Sequence, residues 1–198
     1  MRKTLLLTTV LALIISGSAF SQIGVKAGFA LGEPLDNSTS NMHLGFDVGI
    51  TYEVTEKIRT EILFERLARE ENISLGFLGN FPIKTIITPI TIGADYTFLT
   101  GQLQTYAGLN LGMYRFRTEA FGQDESDAYF GFYPKIGFSY EVTSNIFLDA
   151  NLKYHLVFNK GDKETNLEGI ENLDGLTITE ASNTTIFGAN IGIIYKFN

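Results

Sequence analysis

The sequence has no cysteine and no tryptophan, only 4 prolines, and fewer basic residues (15) than acidic ones (22). Without cysteine there is no disulfide scaffold, no thiolate metal site and no lipid carried on a cysteine. A formal net charge of −7 argues against nucleic acid as a partner, because that binding needs clustered Lys and Arg to displace counterions. Beyond residue 21 no stretch approaches the roughly 18 or more uninterrupted apolar residues of a membrane-spanning helix. What is present is a chain of 198 residues, 44% hydrophobic and 19% charged, with 20 Gly, 16 Phe and 9 Tyr. These values fit one folded domain, neither disordered nor collagen-like, and the small-plus-aromatic bias points to strands.

Residues 1–21 read as a secretory signal peptide. Arg2 and Lys3 precede an apolar run from Leu5 to Ile15, Ser16-Gly17-Ser18 ends it, and Ala19-Phe20-Ser21 offers small residues to a signal peptidase. The run is too short to span a bilayer. The mature chain is expected to be residues 22–198. Export without a helical span leaves a soluble exported protein or a transmembrane β-barrel.

From Gln22 onward the dominant period is 2. In residues 42–52, Met42, Leu44, Phe46, Val48, Ile50 and Tyr52 alternate with His43, Gly45, Asp47, Gly49 and Thr51, and a strand sends the two sets to opposite faces. The same split recurs over 23–31, 58–67, 86–98, 104–114, 129–140, 147–158 and 185–197, predicting eight strands of about 9–13 residues. Connections alternate between tight (Val54–Lys57, Leu99–Gln102, Val142–Asn145) and long and polar (32–41, 70–84, 117–128, 159–183). That pattern predicts an all-β, eight-stranded antiparallel up-and-down barrel.

Tyr52-Glu53-Val54-Thr55 and Tyr140-Glu141-Val142-Thr143 are an internal repeat. Tyr52, Tyr96, Tyr140 and Tyr195 end the even-numbered strands on the apolar face, as an aromatic girdle at one membrane interface would. Which phase faces inward decides between a soluble and a membrane barrel. The polar phase is rich in glycine, which a narrow lumen needs beside Tyr106, Tyr133 and Phe147. It also carries matched charges: Lys26, Arg59, Lys135, Lys153 and Lys196 against Asp47, Glu61, Glu65, Asp95 and Asp149. The apolar phase is nearly free of charge except near the long connections, at Arg66 and Arg115. All three observations favour the inverted arrangement, with charges inside and apolar side chains facing lipid.

The last strand carries Asn190-x-Gly192-x-x-Tyr195-x-Phe197, which resembles the C-terminal signal read by the barrel assembly machinery of the outer membrane; here Asn198 follows the final aromatic. With the signal peptide, the repeated turns and the stretch from Tyr106 to Gly112, the mature chain resembles the outer-membrane β-barrel domain family that includes the secretion protein PorT. It is more loosely similar to the small OmpX/OmpA-type barrels. The resemblance implies an outer-membrane location and contact with outer-membrane lipids and lipopolysaccharide. It brings no catalytic residue.

No phosphate-binding loop, metal-ligand cluster or nucleophile elbow is present, and no cofactor is expected. His43 and His155 fall in the polar phase and are expected inside the lumen, the wrong face for a lipid-modifying enzyme. Glu61 and Glu65 are expected to pair with Arg59, Lys135 and Lys153. Acidic residues crowd the third long connection (Glu119, Asp124, Glu125, Asp127) and the fourth (Asp162, Glu164, Glu168, Glu171, Asp174, Glu180). They are expected to be solvated, with divalent cations bridging lipopolysaccharide phosphates as the functional alternative. Within 70–84, Ile73, Leu75 and Phe77 alternate before Gly79-Asn80, which suggests a hairpin rising beyond the membrane with an edge open to a protein partner. The role expected is structural or interactive (envelope integrity, surface recognition or an accessory to secretion), without enzymatic activity. The alternatives are a lipid-modifying outer-membrane barrel enzyme and a secreted soluble barrel that binds a hydrophobic ligand.

Overall fold

The computed structural model describes residues 22–35, 42–74, 80–120, 123–158, 165–166, 177–178 and 183–197. The expected signal peptide lies outside these residues. The strands are β1 (Ile23–Pro34), β2 (His43–Thr55), β3 (Ile58–Ser74), β4 (Asn80–Leu99), β5 (Leu103–Ala120), β6 (Gln123–Thr143), β7 (Ile146–Phe158), the two-residue β8 (Thr165–Asn166) and β9 (Thr177–Ile178), and β10 (Asn183–Lys196). β8 and β9 pair only with each other; the other eight close into an antiparallel barrel in which every strand pairs with its sequence neighbour and β1 pairs with β10. This is the predicted meander. Closure removes both sheet edges along the barrel wall, which is how a spanning sheet satisfies its backbone donors and acceptors internally.

The apolar phase points outward. Phe29 is 76% exposed, Ile191 64% and Ile136 61%, and Phe46, Leu109 and Leu111 are also exposed. Lys26, Asp47, Glu61, Lys135, Asp149 and Lys153 are all buried. In water this would be an inside-out protein. In a bilayer it is the expected solution, since the acyl chains solvate the apolar belt.

The repeated Tyr-Glu-Val-Thr segments build the tight turns. Thr55 Oγ1 accepts from the backbone N–H groups of Lys57 (3.2 Å) and Ile58 (3.0 Å), and Thr143 Oγ1 does the same for Asn145 (3.4 Å) and Ile146 (3.2 Å). Each segment also carries a register shift, between Glu53 and Thr55 and between Glu141 and Thr143. The remaining tight turn uses Gly101 at φ +131°, a conformation that side chains with a Cβ rarely adopt.

Two of the four long connections are largely paired strand. In 70–84, β3 and β4 stay paired up to Ser74 and Asn80, which is the hairpin expected from the sequence. Residues 117–128 differ from expectation, because β5 and β6 stay paired up to Ala120 and Gln123. The partner ladders stop earlier, at Leu44 opposite Ala68 and at Phe158 opposite Phe130. β3 to β6 therefore rise as a four-stranded wall above the rest of the barrel. Charges of opposite sign line it: Lys84 stands opposite both Glu70 and Glu119, and Arg117 pairs across the strands with Asp124 (2.6 Å) and along β5 with Glu119 (3.2 Å). Residues 117–128 read as loop because nothing apolar surrounds that part of the wall to impose alternation. The side chains of Ile73, Leu75 and Phe77 lie outside the described residues, as does most of 159–183.

Candidate functional site: an ion-paired lumen and a charged rim

All ten charged residues predicted for the lumen are buried inside it. Near the tight-turn end, Lys26 Nζ lies 2.5 Å from Asp149 Oδ1. Asp149 also accepts from the Tyr106 hydroxyl (2.9 Å), Ser139 Oγ (2.7 Å) and Asn151 Nδ2 (3.2 Å). Arg59 donates through Nε (3.1 Å) and Nη2 (2.8 Å) to Asp95 Oδ2, stacks 4.6 Å above the Tyr106 ring and lies 3.8 Å from Asp149. Lys135 bridges Glu61 (2.6 Å) and Asp95 (2.8 Å), while Asn110 Nδ2 donates to Glu61 (2.8 Å). One continuous network thus joins Lys26 on β1, Arg59 and Glu61 on β3, Asp95 on β4, Lys135 on β6 and Asp149 on β7.

A second node sits further up. Lys153 Nζ lies 2.5 Å from Glu65 Oε2, Asn190 Nδ2 donates to the same oxygen (3.1 Å), and Lys153 caps the Tyr133 ring at 5.2 Å. Lys196 stands apart at the tight-turn end, paired with Glu53 (2.9 Å) and lying over Phe147 (4.2 Å). Asp47 is fully buried and neither of its oxygens accepts a hydrogen bond from a described residue. Buried charges are costly unless paired and hydrogen-bonded. Four of the five predicted carboxylates meet that condition; Asp47 does not.

Above the charges the lumen turns apolar. Ala30, Leu67, Ile87, Val157 and Ile186 pack with Tyr114 and Tyr133. His155 is buried here, its Nδ1 2.9 Å from the Tyr114 hydroxyl and its ring 4.5 Å from that of Tyr133. His43 is also buried. Both histidines thus face the lumen. Lumen glycines make room for these rings: a Cβ on Gly137 would stand 2.6 Å from the Tyr106 hydroxyl, and one on Gly131 2.7 Å from the Tyr114 ring. The tyrosines served are Tyr106 and Tyr114, where the sequence pointed to Tyr106, Tyr133 and Phe147.

The predicted girdle residues Tyr52, Tyr96, Tyr140 and Tyr195 lie on the outward phase at the tight-turn end, and Gln102 Nε2 donates to the Tyr140 hydroxyl (3.0 Å). The C-terminal motif divides between two faces. Asn190 is buried in the lumen on Glu65 and Gly192 shares its phase, while Tyr195 and Phe197 point outward with ring centroids 5.0 Å apart. Sequence reading did not assign Tyr106, Asn110, Ser139, Asn151 or Glu53 to the network. Strand phase flags Tyr106 and Asn110, since both alternate with Leu109 and Leu111; Glu53 sits at a bulge, where phase fails. At the opposite rim, the hydrogen bond to Asp124 raises the proton affinity of Arg117 above its ordinary value.

The profile of the family described as "Outer membrane protein beta-barrel domain" matches residues 4–197. The chain belongs to that family. As an outer-membrane barrel it also superimposes on solved structures of low sequence identity. One is Neisserial surface protein A (20% identity, TM-score 0.65, covering 88% of this chain and 97% of that one). A second is Ail, the attachment invasion locus protein of Yersinia pestis (15%, 0.60, 90% and 99%). A third is a major outer membrane protein of Thermus thermophilus (11%, 0.60, 89% and 99%). These likenesses show the fold. No curated protein matches the sequence. The protein is an eight-stranded barrel of the outer membrane.

Proposed function

We propose that this outer-membrane barrel is a non-enzymatic structural or surface-interaction protein that forms no open pore. The observation that carries the reading is the filled lumen: ion pairs from Lys26 to Lys153, topped by the cluster of Leu67, Ile87, Tyr114, Val157 and Ile186. Eight strands leave little more than side-chain room. The wall of β3 to β6 then offers a rigid platform to partners at the cell surface, either protein or lipopolysaccharide. Two proteins with this fold are named for surface roles, which supports the reading by analogy of scaffold. A role as a secretion accessory, as implied by the resemblance to PorT, is one form of the same proposal.

The remaining assignments belong to this reading. Residues 1–21 direct export, and N-terminal sequencing of the mature protein is expected to begin at Gln22. The tight turns and both mature termini face the periplasm, Tyr52, Tyr96, Tyr140 and Tyr195 form the inner girdle, and Tyr195 and Phe197 are presented to the assembly machinery. Planar-bilayer recording tests the central point. Purified folded protein is expected to give no stepwise conductance; steady channels that survive repurification would contradict a filled lumen.

A further inference from the structure

The outward face of the barrel changes character within one register step. Phe64, Ile90, Met113 and Phe130 form one apolar row across β3 to β6. One step higher, Arg66 follows Phe64 on β3, Thr88 precedes Ile90 on β4 and Arg115 follows Met113 on β5. Thr88 pairs with Arg115, and the ladder running from Phe64–Ile90 to Leu67–Ile87 brings Thr88 opposite Arg66. With neighbouring strands about 4.8 Å apart, the two arginines stand about 10 Å apart across Thr88.

Both arginines are exposed. Arg115 donates to the Ser126 hydroxyl (3.1 Å), and neither has an acidic partner among the described residues. Three carboxylates of the wall are engaged with other arginines: Glu119 and Asp124 hold Arg117, and Glu71 holds Arg69 at 3.0 Å. Cations on a lipid-facing phase, directly above an apolar row, lie at headgroup depth with their stems along the belt. The anions at that depth are phosphates, which the guanidinium fork matches.

We propose that Arg66 and Arg115, flanking Thr88, dock the phosphates of a multiply phosphorylated glycolipid of the outer leaflet. This rests on the proposed orientation, with the wall facing outward. A lipid bearing two phosphates on one headgroup serves both guanidiniums, whereas a glycerophospholipid brings one.

The test uses the folded full-length mature protein in phosphatidylcholine vesicles containing a minor fraction of diphosphorylated lipid A, with or without enzymatic removal of its phosphates. The readout is lipid A retained after detergent extraction and repurification. R66Q/R115Q is expected to retain diphosphorylated lipid A about tenfold less than the parent, a change of about 1.4 kcal/mol in binding. R117Q, whose guanidinium is already held by carboxylates, is expected to match the parent, and dephosphorylated lipid A to be retained poorly by all three. Equal retention by the parent and R66Q/R115Q overturns the site, as does an equal loss in R117Q, which would indicate diffuse charge. A rise in the parent's thermal midpoint with inorganic phosphate in neutral micelles would assign the arginines to a soluble anion and overturn it too. Heat-modifiable gel mobility verifies folding of each variant. Protease digestion of the wall in intact cells reports orientation separately: a wall cleaved from outside with unchanged lipid retention sinks the site alone, while a protected wall sinks the orientation beneath it.

Discussion

Glu65 and Lys153 meet at 2.5 Å with side chains only 2% and 1% exposed. Removing one partner strands the other charge in a buried site. Glu65→Ala is therefore expected to destabilise the folded barrel by about 3–5 kcal/mol, whereas Glu65→Leu combined with Lys153→Met should cost about 1 kcal/mol or less. Urea unfolding in vesicles, followed by tyrosine fluorescence, measures both; an unchanged Glu65→Ala midpoint would mean that water reaches the pair. Strand alternation put these residues on the right face because period 2 is a local property. It left open which cation meets which carboxylate, because Lys26 and Asp149 lie 123 positions apart and are matched by the stagger of the closed sheet. Asn190 shows the same limit: it was read for an assembly role, and the fold also uses it to hold Glu65.

At the scale of elements, the belt and the wall obey different rules. Within the belt one face meets lipid and the other the lumen, so alternation is strict and the sequence is legible. Above it the inner face still packs on Leu67, Ile87 and Tyr114 for a short way. Then charges of both signs (Arg69, Glu70, Glu71, Lys84, Arg117, Glu119, Asp124) take over, and 117–128 reads as polar loop. The boundary falls at Phe64 and Met113, and Arg66 and Arg115 mark it. The wall is then an addition to a barrel that closes below it. Replacing residues 71–83 by Asn-Gly brings Glu70 and Lys84, already opposite one another, to a two-residue turn. The shortened protein is expected to keep heat-modifiable mobility and outer-membrane fractionation. Loss of both would show that the wall is needed for closure.

For the molecule as a whole, orientation governs everything else. The apolar phase of eight strands must face acyl chains for ion pairs to sit inside, for the lumen to be blocked and for the rim arginines to lie at headgroup depth. The strand count, the meander and the inverted faces were legible because a closed barrel repeats one local rule. Of the tall side, the β3–β4 hairpin was legible in the alternation of Ile73, Leu75 and Phe77, while the β5–β6 extension, made of charged and small residues, was not. The absence of native cysteine makes the decisive measurement simple: single spin labels at Phe46, Leu111, Ile191 and Asn151 in reconstituted protein, read by their accessibility to oxygen and to a water-soluble nickel chelate. The account predicts oxygen-dominated relaxation at Phe46, Leu111 and Ile191 and little access by either reagent at Asn151. Labels at the first three sites shielded from oxygen, with Asn151 open to the chelate or to lipid, would contradict it.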